Sequence, residues 1–458
     1  MLVDQKIKCP QAKRFAGLFG LLFGLIGALG ANLISVGAAL AVPSFAQQTG
    51  QPCSACHVGA FGPQLKPYGR DFKLYGYQSA DGKSKVLPIA VTIQSSYTRT
   101  NADQNPVPAP NFAPNNNVAL DQASIYYAGK APMGFGVFAQ ATYDGVGKTF
   151  LVDNFDIRRA SEATIFGRDS VVGFDFNNNP TVQDVWNSTP AWSFPYNSSP
   201  VGPGAAASTL SDGALGGQVI GSGVYGLWDD TLYAELTAYI PLERQFAGRI
   251  GEGTGAGSDR FEGPIPYGRI ALVHDIGAAQ TVEVGAYGLS AQRYPGGVVT
   301  NGTDRLTDFA VDANYQYLGT GENEISAHGV LIAEQQKLGA SSVLLGTNPQ
   351  NHLTTARADL SYSYQDTWTP SIQAFRTHGT DDPTLYGGGA NTAGYVIELA
   401  YVPMGKPTSV PYWVNARIAL QYVAYSQFNG DRKGASDNNT LYASLWIALA
   451  PFGSMVHR

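Results

Sequence analysis

The clearest chemistry in the chain sits in five consecutive residues, Cys53-Ser54-Ala55-Cys56-His57. Two thiols at this spacing can each form a thioether with one vinyl group of a single porphyrin. The next residue, His57, is then held beneath the iron as its proximal axial ligand. C-x-x-C-H is therefore the attachment signature of one covalent c-type haem. Three other uses of the pair compete with it. A zinc half-site needs two further ligands, and the sequence has no second Cys/His pair to supply them. A thioredoxin-like redox pair needs a βαβ context, which the flanking sequence lacks. A structural disulfide is the third. The only other cysteine, Cys9, lies in the leader described below.

The opposite side of the iron has no partner nearby in sequence. Neither a histidine nor a methionine occurs between His57 and Lys85, where Lys66 and Lys73 are the nearest basic side chains. Farther along stand Met133, His274, His328, His352, His378 and Met404. The sixth position is thus open, held by water, or filled from the rest of the chain. His328 is the barrel histidine best placed for it, because strand parity turns it inward.

These residues need an element to hold them. A haem presents a large apolar face, and a segment of about 40 residues is too small to cover it alone. The segment must lean on the larger part of the chain or lie within it.

That larger part reads as strands. From Leu87 onward apolar and polar residues alternate with period two, as in a strand with two different faces. Leu232, Ala234, Leu236, Ala238 and Ile240, for example, alternate with Tyr233, Glu235, Thr237 and Tyr239. Sixteen such strands are expected, starting near residues 87, 118, 134, 153, 170, 220, 231, 265, 281, 304, 323, 352, 368, 394, 411 and 439. Short connections (131–133, 167–169, 229–230, 276–280, 319–322, 366–367) alternate with long ones (101–117, 179–219, 243–264, 337–351, 379–393). An even strand number with short periplasmic turns and longer outer loops is the pattern of a bacterial outer-membrane barrel. A β-sandwich or propeller is the soluble alternative, but no blade-length repeat is present. The fold class expected is all-β: an antiparallel transmembrane barrel of about sixteen strands, preceded by a short c-type cytochrome segment.

Tyr126, Tyr127, Tyr143, Trp228, Tyr317, Trp368, Trp413 and Trp446 lie near strand ends and suit interfacial aromatic girdles. The chain runs on past Phe452 to Arg458 rather than ending on an aromatic residue. Parity assigns Asn154, Asp156, Arg158, Glu162, Thr164, Glu324, Ser326, His328, Glu334, Arg357 and Asp359 to the lumen, and His274 to the lipid or the turn.

Composition and the N-terminus fix the compartment. Charged residues make up 14% of the chain, against about 25% in soluble domains. Lys6, Lys8, Lys13 and Arg14 precede an apolar run from Phe15 to about Val42, with small-residue cleavage sites ending at Ala41 and Ala46. This is the layout of a secretory signal peptide, with the cut expected after Ala41 and Ala46 second. An uncleaved anchor is the alternative, since the apolar run is long. Removing residues 1–41 takes away four basic residues and Asp4, so the formal charge goes from −6 to −9. Such a chain does not bind nucleic acid, which needs clustered Lys and Arg. The division expected is 1–41 signal, 42–85 monohaem segment and 86–458 barrel.

The stretch from Ala41-Val42-Pro43-Ser44-Phe45-Ala46 through Cys53-x-x-Cys56-His57 to Phe61, Leu65, Gly69-Arg70-x-Phe72-Lys73 and Gly76-Tyr77 resembles the fused monohaem cytochrome–porins of bacterial outer membranes. The best-known members of that family are iron oxidases. The resemblance is dense over residues 43–77 and architectural beyond them. It implies one haem c on Cys53, Cys56 and His57. It carries Gly69 to Lys73 over as a signature without a role; Arg70 and Lys73 facing the haem propionates, with Phe72 and Tyr75 on the porphyrin, is the physical reading of it. It also implies oxidation of extracellular Fe(II) and delivery of the electron to a periplasmic cytochrome, as an Fe(II):cytochrome c oxidoreductase. The alternatives are a diffusion porin whose haem plug gates or senses, and a conduit for a different donor. Outer-membrane lipid is an expected partner. Porin-like barrels often trimerise, so a homo-oligomer is expected too.

Overall fold

The computed structural model describes residues 42–81, 87–250, 259–406 and 414–450. The leader with its cleavage site at Ala41, Trp413 and the terminal stretch from Phe452 to Arg458 lie outside the described residues.

Seventeen strands form one antiparallel sheet. They are β1 (Ile89–Thr100), β2 (Asn117–Ala131), β3 (Phe135–Asp144), β4 (Thr149–Ile165), β5 (Arg168–Asn177), β6 (Val219–Trp228), β7 (Leu232–Pro241), β8 (Arg260–Glu262), β9 (Ile265–Ile276), β10 (Gln280–Tyr294), β11 (Asp304–Tyr317), β12 (Asn323–Lys337), β13 (Gln350–Tyr364), β14 (Trp368–Gly379), β15 (Thr392–Tyr401), β16 (Val414–Gln427) and β17 (Thr440–Leu449). β8 and β9 both pair with β10 and are parted only by Gly263-Pro264, so together they make one stave. β1 pairs with both β2 and β17, from Val91↔Leu449 to Thr100↔Thr440. The sheet closes into a barrel of sixteen staves with no free edge, the form a β-protein needs in lipid. No helix among the described residues is long and apolar enough to cross a membrane; the strands make the crossing.

Period-two patterning decides which side each residue takes. On β7 Tyr233, Glu235, Thr237 and Tyr239 are buried inward, while Ala234, Leu236, Ala238 and Ile240 are exposed outward. Ile93, Ile125, Leu236, Ile270, Phe309, Leu360, Ile397 and Leu420 belong to the outer apolar belt. Inward charges lie within reach of one another. Arg269 bonds Glu283 at 2.8 Å and Asp312 at 2.7 Å, and Arg417 pairs with Glu398.

Tight turns join the strands at one end. Phe166-Gly167, Asp229-Asp230 and Gln365-Asp366 all have positive φ at both residues, as two-residue hairpins require to match strand twist. This short-turn end is periplasmic in outer-membrane barrels.

Two segments fill the lumen. The first is residues 42–81, with helices α1 (Pro43–Thr49), α2 (Cys53–Cys56) and α3 (Pro67–Leu74). Its side chains reach inward-facing residues near the short-turn ends of strands around the barrel. Lys66 pairs with Glu324 of β12 and Asp366. Arg70 donates to Gln316 of β11 (2.8 Å) and Thr281 of β10 (3.3 Å). Tyr77 donates to Asp156 of β4 (2.7 Å), and Asn415 of β16 donates to the Ala60 carbonyl (3.0 Å).

The second is the connection 178–218 between β5 and β6. The sequence places it outside as a long loop, but it folds into the barrel. Asp184 accepts the backbone N–H groups of Trp186, Ser188 and Thr189 and the Ser188 and Thr189 hydroxyls, all within 3.2 Å. Arg269 approaches the same carboxylate at 3.9 Å. Farther along, Asn197 receives bonds on its carbonyl from Gln421 and donates to Tyr442 and Ser444, and Ser199 meets Thr98. The loop therefore crosses to the far wall. Its polar backbone is satisfied by inward wall residues, which is why it can be buried.

Candidate functional site

α1 begins with Pro43 in its first turn, and Gly50 closes it in the left-handed conformation with its N–H on the Ala46 carbonyl. α2 is a single turn that places Cys53 and Cys56 on one face, since residues three apart are neighbours on a helix. His57 leaves it in extended conformation, with its N–H on the Cys53 carbonyl at 2.8 Å. The chain then returns, so that His57 and Leu65 bridge antiparallel and the Lys66 N–H meets the Cys56 carbonyl at 2.8 Å. Pro67 starts α3 across this turn. The crossing is close at Gly69, where an added Cβ would stand 2.5 Å from the Cys56 carbonyl oxygen.

Both cysteines are unpaired. Burial pushes their thiols up, Cys56 to about 12, so neither has the lowered value of a reactive redox pair. The described residues contain no group of three His, Cys, Asp or Glu able to hold a metal ion, so the zinc alternative finds no further ligands there. His57 is half-buried, and desolvation of its ring holds it down to about 4. Its Nδ1 has no hydrogen-bond partner.

Cys53, Cys56 and His57 open on one cavity of about 520 Å³, within the range of cofactor pockets. Its apolar wall comes from three sources. The N-terminal segment gives Phe45, Phe61, Phe72 and Tyr77, with Phe45 stacked on Tyr77 at 5.1 Å and edge-on to Phe72 at 5.0 Å. The barrel gives Tyr126, Phe138 and Trp446; Trp446 meets Phe61 at 5.1 Å. The in-folded loop gives Trp192, Phe194 and Tyr196, with Trp192 edge-on to Phe138 at 5.8 Å. Two cationic side chains join the lining, Lys73 and Arg357. Lys73 Nζ lies 5.1 Å over the Trp192 ring and donates to the Val182 carbonyl and Asn187, each at 2.7 Å. Burial holds its amine down to about 7.

The expected site residues separate here. Cys53, Cys56, His57, Phe72 and Lys73 share the cavity; Arg70 and Tyr75 do not. Arg70 is spent on the β10–β11 wall, and Tyr75 packs in the cluster with Trp186 and Tyr225. His328 faces inward as parity requires, but its ring nitrogens meet Gln64 at 2.9 Å and Asp359 at 2.8 Å. It is not among the cavity's lining residues, where His57 is the one histidine and there is no methionine. His274 is exposed, as parity requires. Tyr126 and Trp446, read from sequence as girdle residues, turn inward to the cavity; Tyr127 and Trp368 do lie outside, 40% and 44% exposed. Four aromatics of the loop, Trp186, Trp192, Phe194 and Tyr196, were the available sign that residues 178–218 are not a solvated loop.

No protein-family model matches the chain, and no curated protein matches it. Among solved structures it is similar to an anion-selective porin from Comamonas acidovorans, with 10% identity over 79% of this chain and 98% of the porin (TM-score 0.45). It is also similar to OprB of Pseudomonas putida, with 11% identity over 79% and 93% (TM-score 0.44). OmpT of Vibrio cholerae in a trimer form gives 9% over 79% and 98% (TM-score 0.42). These likenesses concern overall form. The porin-like architecture stands on the chain's own closed sheet, a fold that fits a bacterial outer membrane.

Proposed function

We propose that this barrel is an outer-membrane electron conduit carrying one haem c, bound through Cys53 and Cys56 with His57 as proximal ligand. The observation that carries the reading is the convergence of two unpaired thiols and a buried, unpartnered imidazole nitrogen on one aromatic cavity inside the lumen. The residues present fit the group. The thiol pair would anchor it, His57 would orient it, and ten aromatic side chains would cover its faces and exclude water. Lys73 and Arg357 are the cations that line it; Lys73 already donates to Val182 and Asn187, and Arg357 pairs with Asp212. When bound, haem c supplies one-electron redox chemistry, with a potential set by axial ligation and burial. Phe45 lines the cavity, which favours cleavage after Ala41 over Ala46.

Fe(II) is the donor the family resemblance implies. It would lose one electron on the outer side of the lumen, a periplasmic carrier would gain it at the short-turn side, and insoluble Fe(III) would stay outside the periplasm. The barrel alone is equally that of a diffusion porin. The conduit is favoured because the helical segment and the in-folded loop both lie across the lumen.

The test is anaerobic stopped-flow reduction of the haem-loaded protein in detergent, followed at the haem bands after mixing with Fe(II). Fast reduction that is lost in a correctly inserted His57→Ala protein supports the reading. A haem that stays oxidised with Fe(II) but is reduced by a small periplasmic-type cytochrome sinks Fe(II) as donor.

A further inference from the structure

Asp308 and Glu334 face each other directly across β11 and β12. Both point inward and both are 2% exposed. Like charges directly opposite on a sheet repel, and two buried carboxylates need a counter-charge. The neighbouring strands offer arginines, but these are committed elsewhere. Arg293 holds Asp304 and Asp259, and Arg357 holds Asp212. No described basic side chain forms an ion pair with either member of the dyad.

The in-folded loop is pinned over this pair. The Leu210 N–H donates to one Glu334 oxygen (2.5 Å), the Gln336 amide to the other (2.6 Å), and the Ser211 N–H to Asp308 (2.7 Å). Oxygens are nevertheless left over, and not only those of the acids. The Asp308 Oδ1, the Ser211 hydroxyl and the Tyr287 hydroxyl are all buried without a hydrogen-bond partner. Ser211 is 3% exposed and Tyr287 2%. The Ser211 hydroxyl stands close enough to Asp308 to act on its charge, and Tyr287 lies within the electrostatic reach of Asp308 as well. Two facing buried carboxylates without a basic partner, with the Asp308 Oδ1 and the Ser211 hydroxyl beside them, are a cation's environment.

We propose that Asp308, Glu334 and the Ser211 hydroxyl form a binding site for a partly hydrated divalent metal ion. Every donor is an oxygen, which suits a hard cation. Two carboxylates without a third acidic, imidazole or thiolate ligand make a loose site that water completes, so the ion can leave again. The position is apt. Asp308 lies eight residues above Gln316, the β11 residue bonded to the N-terminal segment, a rise of about 26 Å along the strand. The dyad is therefore on the long-loop side of the cavity. Asp212, next to Ser211, pairs with Arg357, which itself lines the cavity. That the ion is the incoming Fe(II) donor rests on the conduit reading; that a divalent ion binds there does not.

The experiment titrates the full-length protein in detergent with Mn(II), which binds oxygen ligands but does not donate to haem, and reads free Mn(II) by electron paramagnetic resonance. One saturable site is expected. Its dissociation constant should rise at least about tenfold, a loss of about 1.4 kcal/mol, in Asp308→Asn/Glu334→Gln. It should stay unchanged in Asp121→Asn, a lumen carboxylate already held by Ser96 and Tyr442. Ser211→Ala gives a milder variant should the double one misfold, and should weaken binding in the same direction. No saturable site in the wild type, as expected of a dyad that merely shares a proton, overturns the proposal; so does a site that survives both variants. A Mn(II) site in a protein whose haem Fe(II) does not reduce leaves this proposal standing and removes only Fe(II) as its natural occupant.

Discussion

Gly69→Ala should release the N-terminal segment, residues 42–81, from its fold while leaving the barrel intact. At Gly69 an added methyl would lie 2.5 Å from the Cys56 carbonyl oxygen, 3.0 Å from Leu65 Cδ2 and 3.1 Å from Cys56 Cα. Two of those three atoms are backbone and cannot swing aside. To reach a tolerable contact of about 3.4 Å, α3 must retreat by roughly 0.9 Å (3.4 minus 2.5) from the turn that carries the thiols. The helix is not free to retreat, because Arg70 is tied to β10 and β11 and Lys73 to the in-folded loop. Overpacking of this kind costs about 1–3 kcal/mol, a factor of about 5 to 150 in the docked population. The assay is haem per polypeptide by pyridine haemochrome, with the heat-modifiable gel shift of the barrel as folding control. Haem content should fall several-fold with the gel shift unchanged. Gly329→Ala, whose nearest contact would be 3.9 Å, should load normally. A Gly69→Ala protein with full haem and an unaltered Soret band would refute the close-crossing argument.

Lys66→Met leaves Glu324 and Asp366 buried without their cation. Breaking such a pair costs about 3–5 kcal/mol, so limited proteolysis should cut residues 42–81 much faster than in the wild type while the strands resist. Asp184→Ala removes the acceptor that organises the loop's turn at Trp186–Thr189; planar-bilayer conductance should rise from a low wild-type value, and an unchanged value would mean the loop holds without it. In the haem-free chain, Lys73 is held at about 7 against an ordinary 10.5. The unfolded segment then binds more protons between those limits, so its docking strengthens as pH rises from about 7 to 10. Denaturation followed by tryptophan fluorescence should show that slope, and Lys73→Met should flatten it.

The staves were legible because a strand between lipid and a polar lumen alternates strictly. The expected starts near 153 and 265 fall four and five residues after Thr149 and Arg260, where those staves begin, and the others fall closer. The spacing of Cys53, Cys56 and His57 singled them out, and the structure brings all three to one cavity. What sequence did not show depends on which end of a strand meets the plug. Tyr126 and Trp446 lie near strand ends, as girdle aromatics do, and only their register shows that they face the cavity. Arg70 and Lys73 are three apart on one helix, yet the wall takes one and the cavity the other. Residues 178–218 are rich in Asn, Ser, Thr, Gly and Pro, a composition shared by solvated loops and by a buried loop whose polar groups are matched by lumen side chains. The one local sign that separates those cases is the set of four aromatics, Trp186, Trp192, Phe194 and Tyr196; the matching polar partners (Arg269, Gln373, Gln421, Tyr442) lie on distant strands.

The way the lumen is filled bears on what can cross. A wide-open pore through this barrel requires the N-terminal segment to withdraw. Withdrawal breaks the Lys66 pair with Glu324 and Asp366 and the links made by Arg70, Lys73 and Tyr77. Hydrogen bonds to charged groups contribute about 1.5–3 kcal/mol each, and a broken buried ion pair adds its own cost. Several such links lost together place an open state far above the closed one, beyond what weak solute binding in a pore returns. An electron needs no such opening. It needs a redox centre close to both faces of a sealed wall, with a donor held on one side. The cavity with Cys53, Cys56 and His57 lies toward the short-turn end, and the Asp308–Glu334 dyad lies on the long-loop side of it. Under the conduit proposal, a lumen crossed by two folded segments, with the cavity on one side and the dyad on the other, serves to move charge rather than solute.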